Sequence, residues 1–265
     1  MLTAVLNNKA GRIIIGQGDV ISWRDVFKNY EDLLTSAFFE RFSYLDHCSQ
    51  VKILAKCFDF NNILESLDLG ELERVEYWPR FNLVNDQQKL VEPDVILNFK
   101  KVNILIEIKS PSGGKQYYEQ WSRELKGILN SSFKNKPLFF LALGGVPKAG
   151  VNRQLKDLKN DFTVLKHTAA KNWHELVPVL KELASSTKLR EKRIIDDMLA
   201  ALGLYSVSIQ DFKWEDLSLS SFNSMFLDHR CLSEVLSFDN KWRFSDFFNA
   251  NLHSLSLSSI SQGNQ

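Results

Sequence analysis

The stretch EPDVILNFKKVNILIEIKSPSGG, Glu92 to Gly114, decides how this chain folds. Isoleucine, valine, leucine and phenylalanine dominate Val91 to Phe99 and Val102 to Ile108, and Lys100-Lys101 makes a short polar break between them. Two such runs around a polar turn predict a β-hairpin. Side chains alternate along a strand, so Ile104, Ile106 and Ile108 share one face while Leu105, Glu107 and Lys109 share the other. Aspartate and glutamate are depleted from strands and costly to bury unpaired. Asp94 and Glu107 on neighbouring strands therefore call for a counter-charge, from Lys109 or from a metal ion.

Working outward, YEDLLTSAFFERFSYL predicts a helix from Tyr30 to Leu45, with Leu34, Phe38, Phe42 and Leu45 near one stripe and the Arg41 stem covering part of it. A second helix is expected over Gln50 to Leu67, then strands at Arg74 to Leu83, Glu92 to Phe99 and Val102 to Lys109. SPSGG is a turn, Lys115 to Leu129 a helix, and the apolar run in KPLFFLALGG a fully buried strand. Helix, strand and helix recur at Val151 to Asn160, Phe162 to Lys166 and Asn172 to Ala184. This order predicts an α/β fold, a mixed central sheet flanked by helices. The character changes after Thr187: an amphipathic helix in LREKRIIDDMLAALGLYSV precedes short aromatic-rich segments and the Ser-rich tail HSLSLSSISQGNQ. The expected organisation is a main domain over 1–186 and a small helical appendage over 187–265, its tail mobile.

With 265 residues, 44% of them hydrophobic and 12% aromatic, the chain can bury a sizeable core. No run approaches the ~18 apolar residues of a membrane span, and Asn7, Asn8, Lys9 and Arg12 interrupt any leader-like core, so a cytoplasmic location is expected. The three cysteines, Cys48, Cys57 and Cys231, lack CxxC spacing, and the five histidines form no HxH or HExxH pair. GQGD at Gly16 to Asp19 and LGG at Leu143 to Gly145 are too short for phosphate loops and read as turns, which speaks against a nucleoside-triphosphatase.

The formal net charge is only +1, but residues 100–193 carry 19 basic against 8 acidic side chains, while 1–99 carry 10 against 15 and 194–265 carry 4 against 9. A basic segment that begins at the charged hairpin suits a phosphate backbone; lysine-rich solvated helix faces are the plainer reading.

Pro93-Asp94 on one strand, Glu107-Ile108-Lys109 on the next and an αβββαβ order resemble the PD-(D/E)xK nuclease superfamily, over about Glu31 to Pro147. The resemblance implies a restriction-endonuclease-like fold and a metal-dependent nuclease acting on DNA. The helix and motif together look like uncharacterised nucleases of phage-defence loci. Carried over, Asp94, Glu107 and the Ile108 carbonyl bind Mg²⁺, with Mn²⁺ as substitute, and Lys109 positions or activates water. The chemistry agrees: magnesium takes oxygen ligands and keeps open positions for water and a phosphate oxygen. Beside such a cation the Lys109 pKa would be depressed.

In that family a glutamate on the first helix often faces the metal. At about 100° per residue, Glu31 lies some 60° from Leu34, on the inward face, whereas Glu40 lies about 240° away. Glu31 is thus the expected ligand, although an acid in a first turn also serves the helix dipole. Similar proteins carry a glutamine or basic residue on the helix after the motif. KQYYEQWSREL offers Gln120 as a catalytic helper and Lys115, Gln116 and Arg123 as nucleic-acid contacts, against a solvated polar face. Tyr117, Tyr118 and Trp121 fit a core better than base stacking. The competing class is a catalytically inactive nuclease-fold module that binds nucleic acid or a protein partner, the latter through the C-terminal appendage.

Overall fold

The structure, a computed structural model, describes residues 2–7, 9–15, 19–60, 68–83, 90–111, 113–147 and 149–210. The chain opens with α1 (Leu2–Leu6), the hairpin β1 (Arg12–Ile15) and β2 (Asp19–Ser22), and α2 (Trp23–Asn29), followed by α3 (Glu31–Ser43) and α4 (His47–Cys57). Strand β3 (Leu72–Tyr77), the ribbon β4 (Phe81–Asn82) and β5 (Leu90–Val91), and the hairpin β6 (Val95–Phe99) and β7 (Asn103–Ile108) come next. The chain continues through α5 (Tyr118–Leu129), β8 (Leu138–Leu143), α6 (Val151–Asp161), β9 (Leu165–Lys171), α7 (Val177–Ser186) and α8 (Leu189–Leu204).

The central sheet has five strands in the order β3-β6-β7-β8-β9, antiparallel from β3 to β7 and parallel from β7 to β9. The fold is thus mixed α/β, as the element order predicted. The expected hairpin forms with Val95 opposite Ile106 and Asn98 opposite Asn103. Alternation then decides the layers. Ile104, Ile106 and Ile108 pack with Phe38 and Phe42 of α3 and with apolar residues of α4, α7 and α8. Ile96 and Leu105 face the other way, onto Trp121, Leu125 and Ile128 of α5 and Leu155 and Leu158 of α6. Every residue of β7 and of β8 is buried, which is why β8 reads as a continuous apolar run and β7 as one interrupted only by Asn103 and Glu107. Each buried aliphatic side chain contributes about 1.5–3 kcal/mol, so these two strands anchor whatever sits at their ends.

Several boundaries shift for local reasons. The strand expected over Arg74 to Leu83 stops at Tyr77, because Trp78 takes φ 47° and Pro79 follows. Strand β6 starts three residues after Glu92, beyond Pro93, which has no N–H to give the ladder. The strand expected at Phe162 to Lys166 runs instead over Leu165–Lys171, where LKHTAAK carries too few apolar residues to be legible at the sheet edge. Helix α4 ends at Cys57, and residues 61–67 of the helix expected there lie outside the described residues. The turn expected at GQGD also falls there, at residues 16–18.

The domain boundary expected at 187 moves as well. A compact unit spans 1–210, since α8 buries Ile195, Met198, Ala201 and Leu202 in the same core as α3, and Tyr205 donates its hydroxyl to the Tyr30 carbonyl at 2.9 Å. The aromatic-rich segments and Ser-rich tail, 211–265, lie outside the described residues. Among the described residues no helix is long and apolar enough to cross a membrane.

Candidate functional site

Pairing of Val95 with Ile106 puts Asp94 and Glu107 across from each other at the next position. The Asp94 carboxylate accepts the Ile108 N–H at 2.7 Å, extending the ladder past its last backbone pair. Glu107 is 1% exposed on the α5 side of the sheet. Its Oε1 accepts from Lys109 Nζ and, at 2.5 Å, from Gln120 Nε2 of α5. Lys109 Nζ also donates to the Ile108 carbonyl at 2.8 Å and lies 3.5 Å from Glu31 Oε1. Glu31 Oε2 in turn accepts the Ser110 N–H at 2.7 Å, tying the first turn of α3 to the end of β7. The structure therefore brings Asp94, Glu107, Ile108, Lys109, Glu31 and Gln120 together, and leaves Glu40 exposed.

The backbone beneath the site is tightly held. Lys109 N–H donates to Leu143 O at 2.8 Å, and Lys109 O accepts from Trp173 Nε1 at 2.8 Å. Gly144 sits at φ 80°, and a Cβ there would stand 2.0 Å from Lys109 O. Only glycine allows this approach, so the LGG turn closes the ends of β7 and β8 onto each other.

Gln116 does not act as expected. It is 5% exposed, donates to Glu107 O at 3.2 Å and Gly144 O at 3.0 Å, and accepts from Trp121 Nε1 at 2.7 Å. Its amide is committed inside the fold, so it braces the strand ends and does not face a nucleic acid. Helix α5 begins only at Tyr118, which is why helical spacing misplaced Gln116. Lys115 is exposed and Arg123 half-buried. Trp121 is core, as its spacing suggested.

One residue went unread. Glu124, 3% exposed on α5, meets the Glu107 carboxyl within hydrogen-bonding reach. Glu107 Oε2 and Glu124 Oε2 have no donor among the described residues, so the two carboxyls can share a proton. The signal was available: Glu124 lies between Trp121 and Ile128 on an apolar stripe and four residues after Gln120.

Burial, then the Glu107 charge, pushes the Asp94 pKa up to about 8. Burial and Glu124 hold Glu107 well above the usual carboxylate range, and burial takes Glu124 to about 7. Burial works to lower Lys109, but Glu107, Glu31 and Asp94 outweigh it and raise its pKa, the reverse of what a neighbouring cation would do. The folded chain therefore keeps protons on Asp94 that the unfolded chain releases above about pH 4. This contribution to stability is present at low pH and is lost as pH rises toward about 8. Thermal unfolding of the metal-free protein is expected to become easier from pH 5 to 8, and Asp94→Asn to flatten that slope. Equal slopes would remove Asp94 as its source.

The donors suit a hard divalent cation in kind: carboxylates on adjacent strands, a carbonyl between acid and lysine, and an orphaned oxygen on Glu107. The Lys109 ammonium now draws Glu107 onto itself, and among the described residues no three His, Cys, Asp or Glu side chains converge as an ion would require.

No family model matches the chain. Over 257 residues it is 27% identical to the uncharacterised protein PM0110 of Pasteurella multocida (strain Pm70), a match that covers 91% of this chain and 93% of that one.

Proposed function

We propose that the protein is a metal-dependent nuclease that hydrolyses DNA phosphodiester bonds on a restriction-endonuclease-like core, in the cytoplasm and in the setting of phage defence. The observation that carries the reading is the meeting of Asp94, Glu107, Lys109 and Glu31, from three separate elements, at one end of β7. The succession α3, β3, β6, β7, α5, β8 supports an αβββαβ core into which α4 and the β4–β5 ribbon are inserted.

Asp94, Glu107, the Ile108 carbonyl and Glu31 would hold Mg²⁺ or Mn²⁺, which supplies positive charge to the scissile phosphate and lowers the pKa of water. Lys109 Nζ, its side chain 15% exposed, offsets charge that builds on the phosphate and orients the attacking water. Gln120 acts one step back: it holds Glu107 Oε1 and so fixes the carboxylate, a positioning role in place of the catalytic one the resemblance implied.

Incubating the protein with plasmid and linear DNA, with Mg²⁺, Mn²⁺ or EDTA, tests the reading. Cleavage that needs the ion supports it; cleavage untouched by EDTA overturns the mechanism. The basic segment adds a binding test. DNA affinity is expected to fall log-linearly with salt, and Lys115→Glu to flatten the slope by about one unit, with Arg123→Gln doing so more weakly. A slope unchanged in both variants would remove this segment from the interface.

One observation favours an inactive binding module instead. The Lys109 ammonium already pairs with Glu107 Oε1, where a metal ion would otherwise supply the positive charge. That reading expects salt-dependent DNA binding, or binding of a protein partner, without cleavage under any divalent ion.

A further inference from the structure

Beside Asp94 the chain forms a cleft of ≈ 530 Å³ lined by Asp32, Tyr77, Trp78, Arg80, Glu92 and Asp94. Its size is that of a site for a small organic group. Trp78 stands at φ 47°, a left-handed conformation that aromatic residues rarely adopt. The backbone N–H of Trp78 donates to the Asp94 carbonyl at 3.0 Å, so the main chain of this turn is held beside Asp94. The Tyr77 and Trp78 rings lie 5.7 Å apart at 42°. Neither Tyr77 Oη nor Trp78 Nε1 has a hydrogen-bond partner among the described residues.

The polar rim narrows the occupant. Phe81 pairs with Val91, so Arg80 and Glu92 face each other at the next position and form an ion pair at 2.5 Å. That pair presents N–H donors and carboxylate acceptors side by side, the complement of a nucleobase edge, which also sets donors beside acceptors. Asp32 adds a further acceptor. The Arg80–Glu92 pair balances its own charge, so Asp32 leaves this rim net acidic, which disfavours a phosphate against it and favours a group bearing N–H donors. A base inside a duplex has both faces stacked and its edge paired, so it cannot offer a face to Trp78 and an edge to Arg80 and Glu92 together.

We propose that this cleft takes one unpaired nucleobase of the substrate strand, adjacent to the phosphate at Asp94, with Trp78 as its stacking surface. The inference rests on the nuclease reading and deepens it: the substrate is single-stranded DNA or a frayed end.

The test uses the full chain carrying Glu107→Gln, which blocks cleavage while keeping an acceptor for Gln120, with Mg²⁺ present. Binding of a 2-aminopurine single-stranded oligonucleotide and of the same sequence as a blunt duplex is read by anisotropy, and stacking by 2-aminopurine quenching. The single strand is expected to bind at least tenfold tighter. Adding Trp78→Ala should weaken it about 5- to 100-fold and abolish quenching, leave duplex binding unchanged and leave Tm nearly unchanged; Trp78→Phe should keep most of both signals. Equal affinity for both substrates, or quenching that survives Trp78→Ala, overturns the proposal. So does a drop in Tm with both substrates weakened alike, the signature of a merely structural tryptophan. Wild-type protein that cleaves plasmid without any of these Trp78 effects overturns the cleft alone, whereas no cleavage and no binding of any DNA overturns the nuclease reading with it.

Discussion

Asp94→Asn is expected to lower DNA cleavage by about 10³-fold or more while the protein stays folded. The asparagine oxygen can still accept the Ile108 N–H, which Asp94 takes at 2.7 Å, but the charge that would hold the metal is gone. Asp94→Ala is a coarser probe, because it strands that N–H at a cost of about 1–3 kcal/mol even as it removes a carboxylate that burial and Glu107 disfavour. The asparagine variant is expected to be the more stable of the two at pH 8. Lys109→Ala should also abolish cleavage, yet it leaves the buried Glu107 without its cation and can cost about 3–5 kcal/mol, so it mixes chemistry with folding. Cleavage rates on plasmid, linear and single-stranded DNA, with Tm, measured on all three variants separate the two effects. Full activity in Asp94→Asn would reject the mechanism.

Glu31→Gln should reduce cleavage on the order of 10²-fold, with part of the loss recovered at higher Mg²⁺. Glu31 reaches the end of β7 through the Ser110 N–H and stands 3.5 Å from Lys109 Nζ, so its charge is felt where the phosphate would lie. The glutamine can still accept from Ser110, which confines the change to charge. Glu40→Gln, at an exposed position of the same helix, should change the rate little and stability by less than about 0.5 kcal/mol. A magnesium titration of both variants decides the matter. The reverse ranking would contradict the geometry, and two fully active variants would mean that the hairpin alone holds the ion.

The parts of this molecule that were legible in the sequence are those where one periodicity acts without competition. Alternation in β7 separates Ile104, Ile106 and Ile108 from Leu105 and Glu107, and the structure places these two sets against different helices. The helical period of α3 turns Glu31 inward and Glu40 outward because Leu34, Phe38 and Phe42 must reach the core. Where tertiary contacts decide, the sequence was mute. Gln116 precedes α5 and is set by a three-way hydrogen-bond brace that no spacing encodes. Trp78 ends β3 through a backbone angle that its residue type argues against. Helix α8 reads as the start of an appendage until its apolar face is seen on α3. Glu124 differs from these, since an acid in an apolar stripe is the same anomaly that singled out Glu107.

The tether between Glu31 and Ser110 also bears on how the site comes apart. Two consecutive amides at the end of β7 are protected by different partners: Lys109 N–H by the β8 carbonyl of Leu143, Ser110 N–H by a side chain on α3. Amide hydrogen exchange at Lys109 therefore reports the parting of two central strands, and exchange at Ser110 reports the lifting of a helix end. If helix ends open at lower free energy than buried parallel strands, Ser110 exchanges first. The assembly then passes through a partly open form in which Glu31 has left while Asp94 and Glu107 still face each other across the sheet.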